Sequence, residues 1–346
     1  MPRVKSRMIA RHYATPHSYD VVVYTENGHY YAKDRRDNLI CKDSPTMCLQ
    51  EAIDSSSGIV FIRPGIYDVE STIYLPSEVN LIGSGMSKTI IRQAPGFNRA
   101  IFKWKNPSTH NVKYVIANMW IYGNNPVVGD NALVDLSQID GSNLGFIYNV
   151  TVECNPENTV CLDLSGNEDT VVMSSVFTIN TTSDRPAVKW YVPYGNILSM
   201  FNKYFGGGYF QAQVANFVGD VFGPKQGLSI TDIPDYPAVY KLAGCYINGL
   251  TNFSRIFAFP TSGGYGSIIV DVDSLFAPQA TVPFINNPTP NTITVYLHIK
   301  NSVIVPSTPG DLFSPGIASY YALYGYIRMP NIMLNGVAVS GQYSLI

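Results

Sequence analysis

The stretch GIVFIRPGIYDVESTIYLPSEVNLIGSG, residues 58–85, is the part of the sequence that is most informative about its fold. Apolar residues alternate with polar ones along it, as at Val60 and Ile62 and again at Val79 and Leu81. Proline- and glycine-containing turns interrupt the alternation about every ten residues, which is the pattern of consecutive short strands. The stretch therefore predicts β-strands joined by tight turns.

Similar strand units recur toward the C-terminus. Most units begin with a small or polar residue, and an apolar residue comes next. The units begin at Asn118, Asn149, Ser175, Ser199, Asp220, Cys245, Ser274, Ser302 and Asn331. Their spacing of roughly 20–30 residues is shorter than a β-propeller blade and is typical of a β-solenoid. The repeat predicts one all-β solenoid made of stacked coils.

A different pattern precedes the repeat. Two strand-like runs flank an Asn-Gly pair at residues 27–28, which is a strong hairpin signal. Ser44 is a good N-cap for a helix over residues 45–54 that begins with proline. We expect residues 1–57 to form an N-terminal arm, hairpin and capping helix, and residues 58–346 to form the solenoid.

Composition excludes several classes of protein. The 346-residue chain is 46% hydrophobic and 14% charged, with a formal net charge of -2, so an extended basic face for nucleic acid is not expected. No apolar run reaches the roughly 18–20 residues of a membrane span, and residues 1–20 lack the apolar core of a secretory signal. With five histidines and no Cys-x-x-Cys pair, we expect no metal and no cofactor.

The five cysteines include two pairs with the same spacing. Cys41 and Cys48 form one pair, and Cys154 and Cys161 form the other. A disulfide across the turn-like segment after Cys154 is geometrically possible. Without a known redox compartment, free buried thiols are the expectation for both pairs.

The segment CLQEAIDSSSGIVFIRPGIYDVESTIYLPSEVNLIGSG carries a family resemblance. Its Ala52-Ile53 pair, its Pro-Gly-Ile-Tyr turn at residues 64–67 and its Leu-Ile-Gly-Ser-Gly turn at residues 81–85 resemble the opening of pectate-lyase-superfamily proteins, including tailspike-like archaeal and viral members. The resemblance implies a single-stranded right-handed parallel β-helix. It does not imply one activity, since lyases, hydrolases, tailspikes and non-catalytic surface proteins all belong to this superfamily.

The catalytic signatures that the resemblance suggests are missing. The Asp-Asp pair and the Gly-His-Gly of polygalacturonase-like members do not occur, and no dense acidic cluster for calcium is visible. Two carboxyl groups on neighbouring coils remain a possible glycosidase arrangement. We expect weak or no cleavage of pectin-type polymers.

A polar group late in the chain is the first candidate site. Alternation directs Asp271, His298 and Arg328 outward on successive coils, with Asp273 beside Lys300. We predict that Asp271, Asp273 and His298 are the catalytic candidates and that the glycan-binding candidates are Arg328, Lys300 and Tyr296. The alternative is a solvent-facing ladder of charges that any solenoid tolerates.

The same alignment directs a column of large apolar side chains outward. Its members are Trp120, Phe177, Phe201, Phe222 and Phe276. Exposed apolar surface of this extent marks an interaction site, so we predict a homotrimer that buries the column. Loops covering the face or glycans stacking on it are the alternatives. A register error of one residue would instead direct the column inward.

The leading functional hypothesis is a virion or extracellular-surface structural protein, tailspike- or fibre-like, that binds cell-surface glycans. The missing catalytic signatures and the outward apolar column favour it. One alternative is a polysaccharide-degrading hydrolase or lyase. Another is a cellular surface-layer or adhesion protein.

Overall fold

The computed structural model describes residues 19–306 and four strands beyond them. Within 19–306 the gaps are 109–110, 139–143, 156–158, 180–185, 224–227, 231–237, 248–256, 259–265, 281–284 and 287–292; the later described ranges are 310–311, 318–324, 332–334 and 337–339. The described part of the chain contains a single helix, and its other regular elements are strands.

An antiparallel sheet of three strands opens the described chain. The strands are β1 (Val21–Glu26), β2 (His29–Asp34) and β3 (Leu39–Asp43), with β2 in the middle. Asn27 and Gly28 join β1 to β2 with φ angles of 52° and 78°, the left-handed conformations that a two-residue hairpin needs. The predicted hairpin is confirmed.

Helix α1 (Pro45–Ser55) follows and closes the N-terminal end of the core. The side chain of Ser44 accepts a hydrogen bond from the Met47 N–H at 3.3 Å, which satisfies one free donor of the first turn. Leu49 and Ile53 are buried against the first strands. The predicted helix and its cap are confirmed.

From β4 onward the chain winds into a right-handed parallel β-helix with three walls. Sheet A contains β4 (Ile59–Ile62), β7 (Glu78–Gly83), the first parts of β10 (Lys113–Gly123) and β12 (Leu144–Cys154), β14 (Asp169–Met173), the last parts of β16 (Val188–Met200) and β18 (Gly208–Val218), β21 (Ala238–Ala243), β24 (Gly266–Asp273), β27 (Ile293–Lys300) and β30 (Ala318–Tyr324). Sheet B contains β5 (Gly65–Val69), β8 (Thr89–Gln93), the last parts of β10 and β12, β15 (Val176–Ile179), β17 (Lys203–Phe205), β19 (Val221–Phe222), β22 (Tyr246–Ile247), β25 (Phe276–Ala280) and β28 (Val303–Pro306). Sheet C contains β6 (Ile73–Leu75), β9 (Phe102–Trp104), β11 (Val134–Asp135), β13 (Leu162–Asp163), the first parts of β16 and β18, β20 (Leu228–Ile230), β23 (Phe257–Ala258) and β26 (Ile285–Asn286). A small separate sheet contains β29 (Gly310–Asp311), β31 (Ile332–Leu334) and β32 (Val337–Val339).

Strand β1 also pairs in parallel with β4, so the N-terminal hairpin extends sheet A. The expected boundary at residue 57 stays a prediction.

Sheets A and B meet at a bend of one residue per coil. The bend residues have positive φ and are Asn118, Asn149, Ser174, Phe201, Gly219, Gly244, Ser274 and Asn301. The Asn149 side chain donates to that of Asn118 at 2.8 Å, which links two coils along the bend. Left-handed backbone suits Gly and Asn best, so polar or small residues occupy these bend positions except at Phe201.

The predicted outward column is wrong at two of its positions. Phe177 and Phe222 are 0% exposed and stack on Tyr204 inside the coil, at ring-centre distances of 5.4 and 5.2 Å. Phe201 and Phe276 are 60% and 44% exposed, as predicted. The alignment began the Asn118, Asn149 and Ser274 units at the bend residue but the Ser175 and Asp220 units one residue after it, which reverses the direction of the later side chains in the second group.

The cause of this error is a set of polar residues inside the coil, which we call the interior polar ladder. Its members lie one residue after the bend on their coils and are Ser175, Asn202, Asp220 and Ser302, each 0% exposed. Each accepts a backbone N–H from the preceding coil, for example Asn202 Oδ1 from Ser175 at 2.9 Å and Asp220 Oδ1 from Asn202 at 2.7 Å. A buried polar residue with this function is indistinguishable from a surface residue in the sequence pattern.

The cysteine expectation is wrong for the first pair. Cys41 and Cys48 form a disulfide that ties β3 to α1, whereas Cys154, Cys161 and Cys245 are free and buried. The short separation between β3 and the helix brings the first pair within bonding distance, with Cα atoms 5.2 Å apart.

Candidate functional site

Sheet C carries a row of polar and aromatic residues at the outward positions of six successive coils. In coil order they are Tyr74, Lys103, Asp135, Asp163, Lys189 and Tyr209, which we call the sheet C row. Neighbouring strands lie about 4.8 Å apart, so the row extends for about 24 Å along the solenoid axis. Its order is symmetric, with two carboxyl groups at the centre, a lysine on either side and a tyrosine at each end.

A repeated sequence orients the two central carboxyl groups. Asp135 and Asp163 each precede a Leu-Ser pair, and the serine two residues on hydrogen-bonds to the aspartate Oδ1. The hydroxyl groups of Ser137 and Ser165 donate at 2.5 and 2.6 Å, and their backbone N–H groups donate at 3.3 and 2.9 Å. The same local turn therefore aims both carboxyl groups the same way.

The loop before β11 adds charge beside Asp135. Asp130 Oδ2 accepts from Arg99 at 2.9 Å, and Asp130 Oδ1 accepts from Lys103 at 2.8 Å. Burial alone would raise the pKa of Asp130, but these hydrogen bonds outweigh it and lower the pKa to about 2. Lys103 Nζ also lies 3.8 Å from Asp135 Oδ2, so it bridges two carboxylates.

Asp163 has a different electrostatic setting. Burial raises its pKa, the hydrogen bonds from Ser165 oppose the rise, and the charge of Asp135 on the preceding coil adds to it. Asp163 is 4% exposed and Asp135 is 2% exposed, so both lie beneath the surface of the row while Tyr74 is 45% exposed. Asp163 therefore holds its proton more tightly than an exposed aspartate does, whereas Lys103 contacts the carboxyl group of Asp135.

These groups match the needs of a saccharide chain. Carboxylates and ammonium groups hydrogen-bond to sugar hydroxyl groups, and tyrosine rings offer an apolar surface together with a polar hydroxyl. An elongated row fits an elongated ligand that lies along the solenoid axis.

The late polar group lies on sheet A. Asp271 pairs with His298 and Asp273 pairs with Lys300 on adjacent strands, so the structure brings these four residues together. Lys300 Nζ lies 3.4 Å from Asp271 Oδ1, which has no hydrogen-bond partner within the described residues. All four are half-exposed.

Tyr296 and Arg328 are the two remaining predicted glycan contacts. Tyr296 lies two residues before His298 on β27 and is 39% exposed. Arg328 lies outside the described residues. The roles of all six residues stay predictions.

The true outward column of sheet B is apolar with few exceptions. It begins at Ile66 and Ile90 and continues through Trp120, Thr151, Val176, Lys203, Val221, Tyr246, Phe276 and Val303. Sheet A also presents apolar side chains outward, among them the stacked rings of Phe146 and Tyr148 with centres 5.9 Å apart. Sheet B is thus mostly apolar on its outer face, and sheet A is apolar around Phe146 and Tyr148 but polar around Asp271 and His298.

Sequence reasoning missed the sheet C row although a signal was present. The Asp-Leu-Ser triplets at 135–137 and 163–165 follow an apolar residue in both cases. Because the coils differ in length, the sequence does not reveal that the two triplets lie side by side. Among the described residues, no three metal-ligating side chains are grouped to hold a metal ion, and none of the described helices has the length and hydrophobicity to cross a membrane.

The three-walled coil defines the class of protein as a right-handed parallel β-helix of the pectate-lyase type. Within that class, the chain belongs to the family described as rhamnogalacturonase A/epimerase, pectate lyase-like, whose model matches residues 42–226. The predicted resemblance and fold are confirmed. No curated protein matches the chain.

Solved structures with the same type of fold are distant in sequence. ORF18 of Geobacillus virus E2 is 17% identical, with a TM-score of 0.47 over 94% of this chain and 73% of the viral chain. The catalytic domain of a GH87 α-1,3-glucanase in complex with nigerose is 14% identical, with a TM-score of 0.41 over 87% of this chain and 64% of the glucanase chain. These likenesses concern the fold.

Proposed function

We propose that this protein is a glycan-binding recognition protein, tailspike- or fibre-like, that serves on a virion or another extracellular surface and contacts its glycan along the sheet C row. The observation that carries the proposal is the symmetric order of this row, with tyrosines at its ends and ionisable groups between them. A polar row that follows the solenoid axis over six coils is suited to a polymer that lies along the same axis.

Glycan binding is tested by removing the two rings of the row. The double variant Tyr74→Ala/Tyr209→Ala is compared with the wild type on an array of bacterial and archaeal surface polysaccharides. Loss of each ring is expected to weaken binding about tenfold, in line with the contribution of a buried aromatic contact. Tyr296→Ala is the matched variant, since it removes an exposed tyrosine from the predicted sheet A site. If only Tyr296→Ala weakens binding, the sheet A site is the glycan contact and the sheet C assignment is wrong.

We also propose that the protein assembles side by side as a homotrimer. Large side chains on two walls support this assembly. Trp120 and Phe276 face outward on sheet B, and Phe146 and Tyr148 face outward on sheet A. Because the two walls share an edge at the bend, one wall of each chain can meet the other wall of its neighbour, and cyclic symmetry closes such a contact. The tailspike-like resemblance favours three chains.

Light scattering tests this assembly. Trp120→Asp/Phe276→Asp is expected to reduce the mass to that of one chain without unfolding it, because both side chains lie outside the coil. Val128→Asp is the control, since Val128 is 56% exposed and lies in the loop between β10 and β11. A wild-type protein that is monomeric in dilute buffer would contradict the proposal.

One observation favours a second function, glycan hydrolysis. Asp163 has a raised pKa and stands on the coil next to Asp135, about 4.8 Å away by strand spacing, which is near the separation of the carboxyl pair in retaining glycosidases. Asp163 would then donate the proton and Asp135 would be the second carboxyl group. This second function is supported if Asp163→Asn abolishes glycan cleavage while Asp271→Asn and His298→Ala leave it unchanged. If the two sheet A variants abolish cleavage and Asp163→Asn does not, cleavage is assigned to the predicted catalytic residues on sheet A.

A further inference from the structure

The outer face of the N-terminal hairpin carries cations stacked on aromatic rings. Tyr24 and Tyr31 face each other across β1 and β2 with ring centres 5.2 Å apart and planes 18° apart. Arg63 Cζ lies 5.2 Å from the centre of the Tyr24 ring, and Lys42 Nζ lies 5.6 Å from that of Tyr31. Lys33 Nζ lies 5.9 Å from the Tyr24 ring. We call these five residues the cap face.

The row from Lys42 through the two tyrosines to Arg63 crosses four adjacent chain segments. Since neighbouring strands are about 4.8 Å apart, its two terminal cations are separated by about 14 Å. Lys33 lies opposite Val22, one row away on the same side of the sheet. The cap face therefore places three cations against two stacked rings.

The cations of the cap face form no ion pair within the described residues, and the carboxylate of Glu26 lies on the same side of β1 as Tyr24. None of Lys33, Lys42 and Arg63 forms an ion pair with a described carboxylate. The nearby Asp34 is engaged elsewhere, because its carboxylate accepts from the backbone and side chain of Asn38 at 2.9 and 2.8 Å. A protein with a formal net charge of -2 thus concentrates three unpaired cations on one small face.

We propose that the cap face binds an anionic polysaccharide, in which carboxylate or sulfate groups alternate with hydroxyl groups. The cations supply partners for the anions, and the hydroxyl groups of the two tyrosines supply partners for those of the sugar. This contact is distinct from the sheet C row, because it lies on the N-terminal extension of sheet A.

The geometry favours a polysaccharide over other polyanions. Single-stranded nucleic acid needs open ring faces for base stacking, but here the rings cover each other and the cations cover their other sides. Cations beside phenol hydroxyl groups suit a chain of hydroxyl and acidic groups.

The test is calorimetric titration of the full chain with alginate oligosaccharide at low ionic strength. Lys33→Gln/Lys42→Gln is expected to weaken binding on the order of tenfold, and raising the salt concentration from roughly 0.05 to 0.5 M is expected to weaken wild-type binding by a similar factor. Arg63→Lys keeps the charge but loses the planar group, so a smaller loss of about threefold is expected.

The control variant is Lys105→Gln/Lys113→Gln. It removes the same charge from two exposed lysines that already pair with Asp54 and Glu78, at 3.7 and 3.4 Å. Unchanged alginate binding by this variant supports the proposal, whereas an equal loss means that net charge alone drives binding and overturns it.

Two further probes separate the possible partners, and thermal unfolding verifies that each variant is folded. Polyglutamate or an oligonucleotide that binds as tightly as alginate, with the same sensitivity to Lys33→Gln/Lys42→Gln, would overturn the choice of a polysaccharide. Binding of alginate that depends on Tyr74 and Tyr209 instead of the cap face would also overturn it, and would leave the proposed function of the sheet C row intact.

Discussion

The interior polar ladder and the sheet C row are both polar columns with one residue per coil, yet they do different work. Inside, Asn202 and Asp220 accept backbone N–H groups from the preceding coil and are 0% exposed. Outside, Lys103 and Lys189 flank carboxyl groups near the solvent boundary. Polar groups that are sealed inside stabilise the coil, whereas the lysines and tyrosines of the sheet C row remain accessible to a ligand. Location, rather than residue type, therefore determines which polar columns stabilise the solenoid.

The largest expected effect tests which side of the coil a ring occupies. Phe177→Ala should lower the free energy of unfolding by about 4 kcal/mol, since it opens a cavity beside Tyr204. Phe276→Ala should lower the stability of a single chain by less than about 1 kcal/mol because Phe276 is 44% exposed. Urea unfolding of the two variants measures the difference, and equal losses would contradict the assigned register.

The second effect concerns the pH dependence of the interior ladder. Burial raises the pKa of Asp220 to about 7, against the hydrogen bonds that it accepts. The folded state therefore holds a proton that the unfolded state releases near its ordinary pKa of about 3.9, so stability falls as the pH rises from there to about 7. Between pH 5 and 8 this group should remove about 2.5 kcal/mol from the free energy of unfolding.

Asp220→Asn supplies the comparison for this effect, because the amide oxygen can still accept the Asn202 N–H. Urea unfolding at pH 5 and pH 8 should show a weaker pH dependence in the variant, which becomes more stable than the wild type at pH 8. An identical pH dependence in the two proteins would mean that Asp220 does not titrate in this range.

The third prediction concerns Asn202, a member of the interior polar ladder that carries no charge. Asn202 accepts from Ser175 and donates to the Val172 carbonyl at 2.8 Å, so Asn202→Ala leaves buried groups unpaired and should cost about 2 kcal/mol. Asn98→Ala is the control on an exposed asparagine and should change stability by less than about 0.5 kcal/mol. Chemical denaturation compares the two, and a loss in the control that equals the loss in Asn202→Ala would sink the argument.

The smallest effect is expected at the sheet A ion pair. Lys300 and Asp271 are 39% and 29% exposed in their side chains, and an exposed pair contributes at most about 0.5–1 kcal/mol. Asp271→Asn should therefore leave the thermal unfolding midpoint nearly unchanged. A shift as large as that of Asn202→Ala would show that this pair stabilises the coil and is not merely a surface ladder.

Local signals predicted much of the fold. The Asn-Gly turn at 27–28 and the Ser44 cap fix their elements through contacts within a few residues, so the sequence pattern identifies them directly. The solenoid class follows from alternation and repeat length. The disulfide between Cys41 and Cys48 was not predicted, because it depends on how closely β3 and α1 pack.

The candidate site was predictable only in part. Asp271 and His298 were placed on adjacent coils because their strands have matching patterns, and the strand register agrees. Asp135 and Asp163 were missed, since a pair on neighbouring coils is recognisable only when the length of each coil is known.

Local patterns in the sequence were sufficient to predict that this chain forms strands, where its helix begins and that its strands repeat as a solenoid. Which residues face inward after each bend depends instead on the stacking of the coils. One left-handed residue per coil shifts the alternation, so Phe177 lies inside although the pattern directs it outward. The same coil geometry brings Asp135 beside Asp163 and aligns the sheet C row, because stacking of coils, rather than neighbourhood in the chain, creates that surface.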